Sequence, residues 1–164
     1  MVSCSNLIVR LAEPTDCSAL FKLIQGLAEY EKLSHAVTGD ALALKEHLFG
    51  SHKYIEAILA ESDDQAVGFA LFFHNYSTFL TKPGIYLEDL FVLPEYRRQG
   101  IGKALISKVA QIAVERNCGR LEWSVLDWNE PAKEFYRSMG ASILDDWRIC
   151  RVTEDALIQL GTVK

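Results

Sequence analysis

The spacing of apolar residues predicts strands and helices in a mixed order. Residues 6–14 are mostly apolar and predict a first strand. From position 15 to about position 30, apolar residues recur at helical spacing and predict an amphipathic helix. A second, shorter helix is predicted for 37–50, where Gly50 would end it. The apolar face of the first helix would consist of Leu20, Leu23, Ile24 and Leu27.

The middle of the chain predicts a hairpin followed by a parallel strand pair. Residues 54–62 and 66–77 flank a turn and predict two antiparallel strands. Residues 84–93 are apolar on both faces, which is typical of a strand inside a sheet. Helical spacing over 102–116 and a further strand at 120–126 complete a βαβ unit. The two strands of such a unit lie parallel, so the sheet should be mixed.

The last quarter of the chain predicts one short helix and a final hairpin. Residues 129–140 have an asparagine at the N-cap, a proline in the first turn and a terminal glycine. The segments 141–144 and 147–153 are predicted to form the last two strands. We find no internal repeat or linker, so we predict a single α/β domain over 1–164 with about four helices.

Composition and charge narrow the function classes. The 164 residues are 49% hydrophobic and 24% charged, as in an ordinary soluble globular protein. No apolar run approaches the roughly 20 residues that span a bilayer, and we expect neither a signal peptide nor a membrane association. We therefore expect a cytoplasmic protein. The net charge of −5 argues against nucleic-acid binding, which depends on positive charge.

Cysteines and histidines give no sign of a metal site. The histidines lack the close spacing of a zinc motif, so we predict no bound metal. The cysteines are scattered through the chain, and we expect them to be reduced. They are Cys4, Cys17, Cys118 and Cys150.

Residues 96–105, YRRQGIGKAL, join the apolar strand to the following helix and predict an anion site. Backbone N–H groups at a helix start are unpaired, and the helix dipole adds positive charge there. Gly100 and Gly102 would let the backbone approach a ligand closely. A phosphate or pyrophosphate cradle is therefore predicted from Arg98 to Ala104. A glycine-rich turn with solvated arginines is the alternative, and this stretch alone does not decide between them.

Two other glycine loops fail on named residues. A P-loop needs glycine where Arg97 stands and a hydroxyl residue where Ala104 stands. A dinucleotide fingerprint needs glycine at the position of Leu105. The residues of this turn therefore argue against nucleotide hydrolysis and dinucleotide binding.

Two consecutive carboxylates interrupt the apolar strand 84–93. Glu88 and Asp89 should point to opposite faces because side chains alternate along a strand. Ionisable groups in such a strand are costly unless they are paired or face a cleft. One alternative is that one residue is salt-bridged and the other lies at the wet end of the strand. The other is a catalytic cleft.

The motif R-x-x-G-x-G, formed by Arg97, Gly100 and Gly102, resembles the acyl-CoA pyrophosphate motif of the GNAT superfamily of N-acetyltransferases. The stretches LAEYEKLS, VGFALFF, YLEDLFVLPEYRRQGIG, VLDWNEPAKEFY and MGAS are similar to the spermidine/spermine and thialysine N-acetyltransferase group. They reach from the first helix to about Ser142. Two departures concern the amine site: Phe79 stands where the polyamine enzymes carry tryptophan, and the tail ILDDWR is shorter than theirs.

The resemblance implies a fold and an activity. The fold would be of GNAT type, with a mostly antiparallel sheet whose one parallel strand pair splays apart at the cofactor site. The activity would be direct acetyl transfer from acetyl-CoA to a small primary amine such as a polyamine, thialysine or a lysine-like amino acid, without metal. The resemblance also implies a homodimer. A protein lysine or N-terminal acetyltransferase and a non-catalytic acyl-CoA sensor remain as alternatives.

The resemblance further implies roles for single residues. Glu88 would be the general base, acting through water, and Tyr136 the acid that protonates the CoA thiolate. Without the resemblance, Tyr136 would be interpreted as an aromatic side chain packed in the core. Tyr30 and Glu31, otherwise a solvated helix end, would bind the amine together with Glu88 and Asp89. The implied cofactor-binding residues are Leu90, Phe91, Val92, Arg97, Arg98, Gln99, Gly100, Ile101, Gly102, Lys103, Ala104, Asn129, Pro131 and Phe135.

Overall fold

A five-stranded mixed sheet forms the centre of the first part of the chain in the computed structural model, which describes residues 6–163. The strands lie in chain order, and each pairs antiparallel with the next except β4 and β5, which are parallel. This confirms the predicted mixed sheet with one parallel pair. The strands are β1 (Leu7–Leu11), β2 (Glu56–Ser62), β3 (Gln65–Ser77), β4 (Lys82–Val92) and β5 (Leu121–Trp123).

Five helices accompany this sheet in residues 6–163, and the described residues divide into two compact units. The first unit ends at Ser124 and the second begins at Val125, so α4 and α5 belong to the second unit. The single domain over 1–164 stays a prediction. The helices are α1 (Cys17–Tyr30), α2 (Ala41–Phe49), α3 (Ile101–Glu115), α4 (Glu130–Ser138) and α5 (Glu154–Gly161).

The helices of the first unit cover both faces of the sheet. On one face, α1 and α2 pack on alternate residues of β2, β3 and β4, which form one buried cluster. On the other face lies α3: a Cβ at Gly68 of β3 would lie 3.3 Å from the Cδ1 of Leu105. The cluster between these two helices and the sheet consists of Cys17, Leu20, Leu23, Leu48, Ala57, Leu59, Phe69, Leu71 and Phe91.

The second helix begins later than the sequence predicts. The predicted range was 37–50, whereas α2 runs from Ala41 to Phe49. The side chain of Asp40 accepts hydrogen bonds from the N–H groups of Leu42 and Ala43. Asp40 therefore caps the helix and excludes the preceding residues from it.

The prediction of a final hairpin is wrong. In the described part of the chain, 141–144 and 147–153 are irregular, and α5 follows them. A strand persists only when a neighbour completes its hydrogen-bond ladder, and the sheet ends at β5. The sequence does carry a signal for α5: Thr153 is the N-cap residue, and Glu154 and Asp155 lie in the first turn, where negative charge favours a helix.

Cysteines, metals and membrane spans can be assessed over residues 6–163 only. Cys17, Cys118 and Cys150 are free thiols, and Cys4 lies outside the described residues. Within this range, His, Cys, Asp and Glu side chains form no group that could hold a metal ion. The same range contains no helix with the length and apolar character to cross a membrane.

Candidate functional site

A β-bulge lies in β4 at the two carboxylates. Leu87 pairs with Phe72 of β3, while Asp89 pairs with the adjacent Leu71, so Glu88 is an extra residue in β4. The bulge interrupts the strict alternation from which opposite faces were predicted for Glu88 and Asp89. Because directly opposite residues share a face, Asp89 lies on the face of Leu71, under α1 and α2.

The parallel pairing between β4 and β5 stops just before this bulge. It covers only Ile85 to Leu87 of β4, although β4 continues to Val92. The edge of β4 from the bulge to Val92 thus extends beyond the partner strand. Main-chain groups along such an edge can bind an extended ligand arm as a further strand would.

The turn after β4 presents main-chain N–H groups at the start of α3. Arg98 and Gly100 both have positive φ angles, 61° and 82°. Glycine adopts this conformation without strain, whereas arginine does so at a cost. Gly100 is the N-cap of α3, and within residues 6–163 no side chain caps it. No side-chain cap therefore occupies the first N–H groups of α3, and the anion site predicted there stays a prediction.

The two arginines of this turn point to different surroundings. Arg98 is exposed. Arg97 is half-buried, and its Nε donates a 2.9 Å hydrogen bond to the carbonyl oxygen of Val92. Its guanidinium carbon lies 4.2 Å from the ring centre of Tyr30 and 5.5 Å from that of Phe91. The Arg97 side chain thus reaches back from the turn to the end of α1.

The end of α1 is fixed by packing on β4 and by a C-terminal cap. A Cβ at Gly26 would lie 3.2 Å from the Cε1 of Phe91, so this glycine permits a close approach of helix and strand. The N–H of Leu33 bonds to the carbonyl of Ala28, and Lys32 has a φ of 62°. This pattern is a Schellman motif, and it places Tyr30 and Glu31 next to the strand end.

Three carboxylates concentrate negative charge near the bulge. Burial, together with smaller contributions from the charges of Glu88 and Glu31, raises the pKa of Asp89 to about 6. Burial also raises the pKa of the Glu31 carboxyl. Glu88 itself is exposed. Ionised carboxylates of this kind favour a cationic ligand, whose charge would relieve their mutual repulsion.

The remaining predicted residues lie on α4 of the second unit. Asn129 is buried, and its side chain accepts a 3.3 Å hydrogen bond from the N–H of Ala132, which confirms its role as N-cap. Pro131 lies in the first turn. The rings of Phe135 and Tyr136 are 5.3 Å apart, and both residues are half-buried. The start of α4 thus lies where the sequence predicted it.

The roles of these residues stay predictions, and the sequence did not indicate two structural relations between them. The first is the bulge at Glu88, for which the residues carry no local signal. The second is the contact of Arg97 with Tyr30, which lie far apart in the chain. The first unit thus brings together Tyr30 with Arg97, and Glu31 with Glu88 and Asp89.

Known proteins resemble this chain over most of its length. Residues 23–141 match the acetyltransferase (GNAT) family. The chain is 38% identical to thialysine N-epsilon-acetyltransferase of Bos taurus over 94% of this chain and 96% of that protein. It is 35% identical to L-ornithine N5-acetyltransferase NATA1 of Arabidopsis thaliana over 91% and 85%. An integron cassette protein of V. cholerae superposes with a TM-score of 0.80 at 27% identity, covering 96% and 98% of the two chains.

Proposed function

The chain belongs to the acetyltransferase (GNAT) family, and from this premise we propose that it transfers an acetyl group from acetyl-CoA to a small primary amine. The observation that carries the proposal is the position of an uncapped helix N-terminus directly after the open edge of β4. That arrangement offers N–H groups for a pyrophosphate and a strand edge for the pantetheine arm.

The residues present fit acetyl-CoA. The turn from Arg98 to Ala104 would hold the pyrophosphate through main-chain N–H groups, because Arg98 and Gly100 adopt the positive φ angles of an anion-binding concavity. Main-chain groups of residues 90–92 would hold the pantetheine arm. When bound, acetyl-CoA supplies the activated acetyl group. Asn129, Pro131 and Phe135 of α4 complete the proposed cofactor-binding set.

The acceptor is proposed to be a cationic amine with a second polar end. An alkylammonium is almost fully protonated at neutral pH, since its pKa is near 10, so carboxylates can bind it before a base accepts its proton. Glu31, Glu88 and Asp89 provide such an environment. The relatives named for thialysine and L-ornithine support an amino acid with a side-chain amine as the acceptor within this class.

Two side chains are proposed to move protons. Glu88, exposed at the bulge, would accept the proton of the acceptor ammonium through a water molecule. The phenol of Tyr136 would hold the proton that the departing sulfur requires. Asp89 would remain a binding carboxylate, because it is less accessible than Glu88.

Glu88→Gln is expected to abolish the acidic limb of the pH profile of kcat/KM, because that limb reports the protonation of an essential base. The measurement is kcat/KM between pH 5 and 9 for the wild type, Glu88→Gln and Asp89→Asn. Asp89 is the matched comparison, since its carboxyl has a pKa of about 6, which lies within the measured pH range. An acidic limb that persists in Glu88→Gln and disappears in Asp89→Asn would transfer the base role to Asp89.

The proposed function is tested by release of the CoA thiol from acetyl-CoA with a panel of amines. The panel contains thialysine, L-ornithine, L-lysine, putrescine, spermidine and a lysine-containing peptide, and each is compared by kcat/KM. We expect a small amine to exceed the peptide by at least tenfold. Preference for the peptide would contradict the small-amine acceptor. Binding of acetyl-CoA without thiol release on any acceptor would contradict the catalytic role.

We also propose that the active form is a cytoplasmic homodimer. Large apolar side chains are exposed along the second unit, where a second copy of the chain could cover them. Trp147 and Ile149 are 75% and 70% exposed. Sedimentation equilibrium would give the mass, and a mass of one chain at micromolar concentration would contradict the dimer. The other exposed large apolar residues described in this unit are Leu126, Trp128, Leu144, Val152, Leu157, Ile158, Leu160 and Val163.

A further inference from the structure

The side chain of Arg97 connects the turn between β4 and α3 to the end of α1. Its backbone directly follows the short 3-10 turn Pro94–Tyr96 and belongs to the predicted anion site. The Nε of its side chain, however, donates a hydrogen bond to the carbonyl oxygen of Val92, and its guanidinium stacks on the ring of Tyr30. One residue thus joins the turn, the last residue of β4 and the last residue of α1.

These contacts use the particular chemistry of arginine. The guanidinium is planar, so one edge can donate to a carbonyl while its face lies on an aromatic ring. At 4.2 Å from the ring centre, the charged group is well within the range of a cation–π interaction. A lysine would keep the positive charge, but its ammonium group is not planar. It could not donate to the carbonyl and stack on the ring at the same time. The pair Arg97 and Tyr30 therefore depends on shape as well as charge.

The neighbouring arginine provides a contrast within the same turn. Arg98 is exposed, and its backbone adopts a φ of 61°. The contacts of Arg97 direct its charge toward Tyr30 and Phe91. Two adjacent arginines thus occupy different environments, and a single role for both does not follow from their shared motif.

We propose that Arg97 is a positioning residue that holds Tyr30 on the acceptor side of the site and thereby couples the anion turn to acceptor binding. The proposal rests on the proposed function, because Tyr30 directly precedes Glu31, one of the carboxylates proposed to bind the acceptor amine. When the turn orders around an anion, Arg97 and Tyr30 are ordered with it. Binding of acetyl-CoA should then strengthen acceptor binding, and the reverse must hold by linkage.

The kinetic test compares Arg97→Lys with Arg116→Lys, the same substitution at an arginine outside the proposed site. For Arg97→Lys we expect an acceptor KM raised about 5- to 20-fold, with a dissociation constant for acetyl-CoA within about threefold of the wild type. For Arg116→Lys, at an exposed arginine that follows the last residue of α3, we expect the acceptor KM to change less than about twofold. A dissociation constant for acetyl-CoA raised tenfold in Arg97→Lys, with the acceptor KM unchanged, would overturn the proposal.

A double-mutant cycle tests the link between the two side chains without requiring turnover. The unfolding equilibrium constants of the wild type, Arg97→Lys, Tyr30→Leu and the double variant are measured by urea denaturation. We expect the two substitutions to be coupled by a factor of about 2 to 10, because each removes the same stacked contact. Independent effects, with a coupling factor near 1, would overturn the proposal.

The two measurements separate this proposal from the proposed function. If the wild type acetylates no amine, the proposed function fails, while the cycle still reports whether Arg97 and Tyr30 are coupled. If the wild type is active and Arg97→Lys and Tyr30→Leu raise the acceptor KM independently, the function stands and the positioning role fails. A double variant whose acceptor KM is no higher than that of the more impaired single variant supports the positioning role.

Discussion

Replacing Tyr136 by phenylalanine is expected to lower kcat about 100-fold while the dissociation constant for acetyl-CoA stays within about twofold. The substitution removes only the phenol oxygen. The ring can keep its packing on Phe135, 5.3 Å away, so α4 should retain its structure. What is lost is the proton at Oη that the leaving sulfur needs, and general acids of this kind contribute about 10²- to 10⁴-fold.

The measurement combines steady-state kinetics with calorimetric titration of acetyl-CoA. Tyr76→Phe is the matched control, because it removes the same atom from a side chain that is 55% exposed on β3. We expect Tyr76→Phe to leave kcat within twofold. A kcat of Tyr136→Phe within twofold of the wild type would refute the acid role. Weaker acetyl-CoA binding with unchanged kcat would instead indicate a binding role for the phenol.

Asp89→Asn is expected to raise the free energy of unfolding at pH 8 by up to about 3 kcal/mol. Burial raises the pKa of Asp89 from 3.8 to about 6, so the folded protein binds this proton more tightly than the unfolded chain. The penalty is therefore absent below about pH 3.8 and fully developed above about pH 6, at about 1.4 kcal/mol for each pH unit between the two pKa values. Asparagine keeps the shape and removes the charge.

Urea denaturation at pH 4 and pH 8 measures this effect. The gain of Asp89→Asn over the wild type should fall below about 1 kcal/mol at pH 4. Asp64→Asn, in the exposed turn between β2 and β3, is the control for the loss of one negative charge, and asparagine tolerates its φ of 63°. A gain of equal size at both pH values, or a loss of stability at pH 8, would contradict the pKa assigned to Asp89.

The elements that the sequence predicts best are those whose signals are local. The hairpin β2–β3 is marked by a turn, α3 by its apolar spacing and α4 by Asn129 and Gly140. The parallel pair follows from chain order, because a strand, a helix and a strand in one sheet leave few alternatives. A local signal also marks the turn before α3, since glycine at position 100 adopts its φ of 82° without strain.

What the sequence does not predict depends on contacts between distant residues. The bulge at Glu88 arises from the register between β3 and β4, which no single strand encodes. The direction of the Arg97 side chain depends on where α1 ends, and that end is fixed by Gly26 packing on Phe91. The apolar segment 147–153 has the composition of a strand, but its conformation depends on whether a partner strand is present.

The short length of β5 gives the sheet an uneven resistance to opening. Its three residues pair only with Ile85–Leu87, whereas β3 and β4 pair over nearly their whole length. Amide hydrogens in the hydrogen bonds between β3 and β4 should therefore exchange with solvent only on global unfolding, and those of β5 through local fraying at lower free energy. Such fraying would lengthen the open edge of β4 next to the bulge while the antiparallel strands stay paired, so a ligand bound along that edge could enter and leave without loosening the core.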